Sequence, residues 1–315
     1  MAERAWPLPW LEVAGDRGGA WQYMQYLLYR GAVGLGSRLP RAGQRAMSWA
    51  LGALMSVLDR ERARAALEFI AQAYPNSSER ERRALLLSAW RHLIELVLQD
   101  ARFNERVVGP RLADRFEIEL TPRAREAIGR GQGGLVITPH VGMWEALPAI
   151  LPKLGVDPLY AVSRPPKNRY LARHAQAVRE ARGYRLIPRH GAIEHLLAAV
   201  ESGAWVGLML DQRAHGKTVL APFFGRPAHS ERSIAVLVRR LRRPVVLAAC
   251  YGTGKPHRYK VVLDVPLALE ELSTLDAEGI ASALNREMEY LIRRAPEQYF
   301  WLHDRYRKAP PVGGA

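Results

Sequence analysis

The chain has 315 residues, enough for one large domain or two small ones around a sizeable core. Its 46 Lys and Arg against 31 Asp and Glu leave a formal charge of +15, a surface that attracts the phosphates of nucleic acid, anionic lipid or an acidic carrier protein. The single cysteine, Cys250, excludes an internal disulfide and a cysteine-based zinc cluster.

The start, Met1-Ala-Glu-Arg-Ala-Trp, lacks the basic-then-apolar order of a secretory signal. No apolar run approaches the ~20 residues that span a bilayer, so the chain is expected to be soluble or to lie on a membrane. Residues 1–19 are rich in Pro and Gly and read as loose. From Trp21 to Leu58, Trp21, Tyr23, Tyr26, Tyr29 and Trp49 stand among leucines with Arg30, Arg38, Arg41 and Arg45 interspersed. Rings and cations on otherwise apolar helices suit a bilayer interface. The competing reading is a soluble helical hairpin whose aromatics are core.

A second helical block follows Pro75. Ser78-Glu-Arg-Glu81 has the form of a capping box, and Leu86, Ala89, Trp90, Leu93 and Val97 recur at helical spacing. Residues 99–116 read as a crossing loop, Phe116 to Leu120 as a strand and Arg123 to Gly129 as a short helix. Gly129-Arg-Gly131-Gln-Gly-Gly134 matches G-x-G-x-x-G, but it precedes a strand where the dinucleotide fingerprint must follow one. These glycines read instead as a helix stop and a turn.

Leu135 to Thr138 is a short buried strand bounded by Gly133-Gly134 and Pro139, and a helix is expected from Ala146. His140 thus falls just past the C-terminal end of a strand, where open α/β sheets place ligands. On one regular helix His140 and Glu145 would stand roughly 140° apart. They can meet only if the histidine lies in the turn before the helix and the glutamate in its first turn, a turn that Gly142 makes cheap. A carboxylate bonded to one imidazole nitrogen fixes the tautomer and leaves the other nitrogen free as a general base. The alternative is a satisfied histidine beside a surface carboxylate.

Beyond that turn, strand and helix alternate. Strands are expected at Pro158 to Val162, Arg185 to Ile187 and Trp205 to Leu210, with a basic helix from Asn168 to Glu180 and an amphipathic one around Ile193 to Val200. A further helix carries Ile234, Leu237, Val238 and Leu241. Val245 to Tyr251 and Tyr259 to Val265 read as strands, antiparallel across Gly252-Thr-Gly254, and Ile280 to Ile292 as the last helix. This pattern predicts an α/β fold, with a mixed, mostly parallel sheet flanked by helices. The expected division is an N-terminal helical, membrane-surface region over 1–115 and an α/β region over 116–315, in one continuous globular unit.

If the strand before Asp211-Gln212-Arg213 is parallel to the one before His140, Asp211 emerges at the same sheet edge. There it could hold an arginine, bind an acceptor hydroxyl or cap the next segment. Arginines crowd the stretch from Arg164 to Arg189, and their guanidinium forks match phosphate and carboxylate. His215-Gly216-Lys217-Thr218 lacks the first glycine of a P-loop. No G-x-S-x-G elbow, H-E-x-x-H helix or paired-cysteine motif is present.

Together His140-Val-Gly-Met-Trp-Glu145, Leu210-Asp-Gln212, Pro222-Phe-Phe-Gly225 and Pro296-Glu-Gln-Tyr-Phe-Trp-Leu-His-Asp-Arg305 resemble the bacterial lipid A biosynthesis late acyltransferases. These are the lauroyl and myristoyl transferases, within the wider lysophospholipid acyltransferase group, and the resemblance runs over about residues 20–310. It implies a glycerolipid acyltransferase-like fold and O-acyl transfer from acyl carrier protein or coenzyme A to a hydroxyl of a membrane glycolipid. A lysophospholipid or phosphatidylinositol mannoside acceptor is the alternative it leaves open. It makes His140 and Glu145 catalytic and maps the family's essential arginine to Arg179, with Arg182 as fallback. Asp211 matches the family aspartate, beside Gln212. Arg164 and Arg179 would hold acceptor or donor phosphates, and Arg179 or backbone N–H groups the oxyanion. The Pro296 block is expected to be structural. No metal or bound cofactor is implied, the acyl thioester being a co-substrate, and the expected place is the cytoplasmic face of the inner membrane, peripherally. A basic nucleic-acid-binding protein is the rival from another class, but RNP-type aromatics, a helix-turn-helix and zinc spacing are all missing, and no nucleic-acid partner is expected. A catalytically silent membrane scaffold is the other rival.

Overall fold

The computed structural model describes residues 17–163, 165–188 and 191–310. Four helices come first: α1 (Ala20–Arg38), α2 (Arg41–Leu58), α3 (Arg60–Ala73) and α4 (Glu79–Asp100). The capping box opens α4 as expected, with the Ser78 N–H donating to Glu81 Oε2 at 2.7 Å and the Glu81 N–H to Ser78 Oγ at 3.3 Å. The expected loop over 99–116 is mostly ordered, since α4 runs to Asp100 and a one-turn α5 (Phe103–Arg106) follows.

Helices α1 and α2 turn small residues toward the protein and large ones away. Only Gly36 and Ser37 of α1, and Ser48 and Gly52 of α2, are buried. At Gly52 the helix lies so close to α4 that a Cβ would stand 3.2 Å from the Arg91 backbone nitrogen. Trp21 is 65% exposed, Leu35 73% and Leu58 65%, with Met24, Leu28, Leu54 and Val57 also exposed. A soluble hairpin would bury these side chains, each worth roughly 1.5–3 kcal/mol on burial. The reading of this region as a hairpin with an aromatic core is therefore set aside.

The remaining elements are β1 (Phe116–Leu120), α6 (Pro122–Gly129), β2 (Gly134–Ile137), α7 (Leu147–Ile150), β3 (Leu159–Ser163), α8 (Arg169–Glu180) and β4 (Tyr184–Pro188). After them come α9 (Ala192–Glu201), β5 (Trp205–Leu208), β6 (Thr218–Phe223), β7 (Arg226–Glu231) and α10 (Ser233–Leu241). The chain closes with β8 (Val245–Gly252), β9 (Tyr259–Asp264), α11 (Leu269–Thr274) and α12 (Ala277–Arg293). Seven strands form one mixed sheet in the order β1-β9-β8-β2-β5-β3-β4. The run from β8 to β4 is parallel, and β9 pairs antiparallel with β8 and parallel with β1. The fold is thus the expected α/β architecture with a helical N-terminal region.

Strand β2 is buried on both faces because successive side chains point opposite ways. Leu135 and Ile137 join one core with α9, α10 and α12, to which Phe69 and Ile70 of α3 and Trp90 of α4 also belong. Val136 joins the other with Ala124, Ile128, Leu147 and Tyr184. The helix expected from Ala146 is broken into a 3-10 turn (Trp144–Ala146), α7 and a second 3-10 turn (Leu151–Leu154). Pro148 and Pro152 supply no N–H and are tolerated only in first turns, so no longer helix can form.

The β6–β7 hairpin stands apart from the main sheet, in register from Thr218↔Glu231 to Phe223↔Arg226, and sequence patterning gave no sign of it. Its Phe223 and Phe224 pack on Phe69, around which Tyr299, Trp301 and Tyr306 also gather. Arg305, fully buried, locks it by donating to the His229 carbonyl at 2.6 Å and Ser230 Oγ at 3.0 Å.

Candidate active site

Strands β2 and β5 are parallel with Ile137 opposite Leu208. His140 and Asp211 each lie three residues further on, so one edge of the sheet presents both. The turn carrying His140 is held on two sides. From the C-terminal block, the Phe300 N–H donates to the His140 carbonyl at 3.0 Å and the Gln298 carbonyl accepts from the Gly142 N–H at 2.9 Å. From β8, the Cys250 carbonyl accepts from the Met143 N–H at 2.6 Å. Gly142 has φ +63° and lies so tight against β8 that a Cβ would stand 2.0 Å from the Cys250 oxygen, so both its dihedral and its contact demand glycine. The Pro296 block therefore does more than pack a helix end, since it also fixes the histidine turn.

Asp211 grips His140 twice. Its Oδ1 stands 2.8 Å from the ring Nδ1, and its Oδ2 accepts from the His140 backbone N–H at 3.0 Å. The carboxylate is 1% exposed and the imidazole side chain 18%. Burial pushes the Asp211 carboxyl up, but the His140 charge and the hydrogen bonds outweigh it, leaving the group below the usual carboxylate range. An ionised Asp211 holds the proton on Nδ1 and leaves the Nε2 lone pair free. The Gln212 side-chain nitrogen is 3.4 Å from that Nε2. Trp144 packs edge-on to the imidazole with centroids 5.3 Å apart.

Glu145 is not the partner of His140, which corrects the expected pairing. It stands in the 3-10 turn whose neighbours Met143, Ala146 and Leu147 pack with Val136 and Tyr184 on the other face of the sheet. Its carboxylate is occupied there. Arg179 of α8 donates from Nη2 to Oε1 at 2.5 Å and from Nε to Oε2 at 3.2 Å, and the Tyr184 hydroxyl lies 3.4 Å from Oε2. Burial raises the Glu145 carboxyl, yet Arg179, Arg182 and Tyr184 together bring it below its ordinary value. The fallback arginine, Arg182, has a fully buried side chain and ties the Glu145 carbonyl (2.9 Å) to Asn104 Oδ1 (2.8 Å) and Asp100 Oδ1 (2.7 Å). Arg164 lies outside the described residues.

Two cavities meet at Trp144, Glu145 and Arg179. One of about 610 Å³ runs between α1, α4 and α8, with Arg30, Arg38, Arg102 and His174 on its walls. The other, about 120 Å³, is apolar, walled by Leu147, Leu151, Leu159, Val162, Leu186 and Met209. Among the described residues no cluster of three or more His, Cys, Asp or Glu could hold a metal. Ser163, whose Oγ accepts from Arg179 Nη1 at 3.2 Å, and Tyr184, Asp100 and Asn104 escaped the sequence reading because nothing local marks a residue as the lining of a distant ion pair.

The sheet edge presents a carboxylate-held imidazole, and Trp144, which packs on that ring, also lines the apolar slot; the protein is an acyltransferase. The chain belongs to the bacterial lipid A biosynthesis acyltransferase family, whose sequence profile matches residues 20–308. It is 25% identical over 255 residues to the lipid A biosynthesis myristoyltransferase of Escherichia coli K12, covering 80% of this chain and 77% of that protein. Lipid A biosynthesis acyltransferase 1 of Shigella flexneri is similar to the same extent, 25% over 255 residues with the same coverage.

Proposed function

We propose that this acyltransferase moves a fatty acyl chain from an acyl thioester, on acyl carrier protein or coenzyme A, to a hydroxyl of a lipid A precursor-like membrane glycolipid. His140 is the general base and Asp211 its orienting partner. The Nε2 lone pair takes the proton of the acceptor hydroxyl as its oxygen attacks the thioester carbonyl. The tetrahedral oxyanion then collapses, the C–S bond breaks, and the imidazolium returns its proton to the leaving thiolate. No acyl-enzyme forms. Gln212, whose amide nitrogen already points at Nε2, is placed to donate to the oxyanion or acceptor. Glu145 and Arg179 act as a pair that shapes the wall between the two cavities. The apolar slot receives part of the acyl chain, at about 0.8 kcal/mol for each methylene buried.

The observation that carries this reading is the 2.8 Å contact from His140 Nδ1 to Asp211 Oδ1 at the rim of the sheet. The exposed apolar face of α1 and α2 supports a peripheral seat on the cytoplasmic face of the inner membrane, and among the described residues no helix is long and apolar enough to cross a bilayer. The shared core of α3, α4 and the sheet supports one continuous unit. Acyl transfer from myristoyl-acyl carrier protein to a purified lipid A precursor, followed by mass spectrometry, tests the assignment. His140→Ala should abolish the product while the protein stays folded by circular dichroism, and normal turnover in that variant would refute it.

A further inference from the structure

A third cavity, about 690 Å³, lies between α2, α4 and the β8–β9 turn. Because β8 runs parallel to β2, this turn sits at the same sheet edge as His140. Arg41, Arg45, Arg91 and Lys255 line the cavity, opposed by Glu95 and Glu297. Glu95 stands 3.7 Å from Arg91, and Gln298 donates to Glu297 at 3.4 Å. Arg41 donates to the Gly254 carbonyl in the hairpin turn. Among the described residues no carboxylate pairs with Arg41, Arg45 or Lys255.

Two buried polar atoms on the walls of this cavity lack a hydrogen bond: His257 Nδ1, and Arg91 Nε, whose nearest carboxylate is Glu95 Oε1 at 3.7 Å. Unsatisfied buried groups are rare and costly, so each marks a place for a missing partner. At 3.7 Å the Glu95 carboxylate offsets the Arg91 charge without a hydrogen bond, so the Nε–H can still take an acceptor. The surrounding field is cationic. Burial first, and then Arg106, Arg115, Arg102 and Arg41, push the His257 imidazole below its ordinary pKa. Trp49 forms part of the wall, stacks under the Arg91 guanidinium at 4.8 Å and is 46% exposed. It lies at the edge of the exposed apolar surface of α2, where Val57 is its nearer neighbour round the helix and Leu54 lies further on. The back wall reaches the candidate active site, since His92 Nε2 donates to the Gly142 carbonyl at 3.0 Å.

We propose that this cavity binds the phosphomonoester of a lipid headgroup at the membrane surface. A phosphomonoester carries close to two negative charges and three acceptor oxygens, which matches Arg41, Arg45 and Lys255, none of them paired with a carboxylate among the described residues, and the Arg91 Nε–H that lacks a hydrogen bond. The position beside an exposed apolar helix face favours a headgroup over a free phosphate. This goes beyond acyl transfer at His140 and does not depend on it.

The test compares flotation of the purified protein with vesicles of phosphatidylcholine alone and with phosphatidic acid added. Arg45→Ser with Lys255→Ser removes two cavity cations, and Arg123→Ser with Arg125→Ser removes the same charge from α6. Phosphatidic acid should tighten binding of the parent protein. The cavity pair should lose on the order of tenfold of that gain, the α6 pair much less, and binding to phosphatidylcholine should not change. Equal losses in the two pairs would reduce the effect to general surface charge and overturn the site. Glycerol 3-phosphate without vesicles, followed by 31P line broadening, distinguishes the source of the phosphate. Broadening that the cavity pair abolishes, with no gain from phosphatidic acid, would overturn the lipid headgroup. Neither readout needs turnover, so failure of the acyl-transfer reading would leave this result intact.

Discussion

Asp211→Asn separates the two acids that compete for His140. Asparagine keeps the shape of the carboxylate but offers one acceptor and one donor where Asp211 offers two acceptors. The His140 backbone N–H at 3.0 Å demands the acceptor. The amide NH₂ is then left 2.8 Å from Nδ1, where it can be satisfied only if Nδ1 is the unprotonated nitrogen. The imidazole proton moves to Nε2, and the base is lost without any change of fold. The same tautomer inversion in a serine protease triad lowers kcat by about 10⁴. A loss of about 10³ or more, roughly 4 kcal/mol of barrier, is expected here with KM little changed. Single-turnover transfer from radiolabelled acyl-carrier thioester would measure it, with thermal unfolding as the control for folding. Turnover within about tenfold of the parent protein would show that Asp211 does not set the tautomer, and the proposed dyad would fall.

Glu145→Gln should behave differently. It leaves His140 held and strips the partly buried Arg179 of its countercharge, so the expected damage is about 3 kcal/mol or more of stability, read as a lowered urea midpoint, with a smaller fall in kcat than Asp211→Asn gives. Gly142→Ala combines a φ of +63° with a Cβ that would press on the Cys250 oxygen. The dihedral alone costs about 1–3 kcal/mol, and the turn must also move, so both melting temperature and turnover should drop. His303 supplies a pH test. Burial pushes its imidazole down to about 4, and its Nε2 accepts the Arg213 N–H at 2.8 Å only while unprotonated. Below the unfolded value of about 6.5 the unfolded chain binds the proton more readily, so stability falls as pH drops from about 6.5 to 4, by roughly 2–3 kcal/mol. His303→Gln keeps an acceptor and should flatten that part of the stability curve in urea titrations run across pH.

The periodicity of apolar residues located nearly every element of the main sheet, because strand and helix spacing is a property of consecutive side chains. It placed His140 at a strand end, made β8 and β9 an antiparallel pair and set Asp211 at the same edge as His140, provided their strands were parallel. It missed the β6–β7 hairpin, whose Arg226-Pro-Ala-His-Ser-Glu231 strand alternates poorly and is stabilised by Arg305 and the aromatic cluster. The short, proline-broken helix after the histidine turn was legible in Pro148 and Pro152, yet the apolar spacing suggested something longer.

The choice of partner for His140 could not be read locally. Glu145 is five residues away and Asp211 seventy-one, and proximity along the chain favours the former. The register of two parallel strands decides otherwise: with Ile137 opposite Leu208, Asp211 arrives beside the imidazole while the turn directs Glu145 to Arg179 on the opposite face. The cationic cavity has the same origin, since α2 and α4 meet a hairpin turn that follows them by more than 150 residues only after packing. Composition and spacing determined the elements and the overall positive charge of this protein. Tertiary structure decided which charges meet, because hydrogen bonds and ion pairs act over a few ångströms of space whatever the distance along the chain.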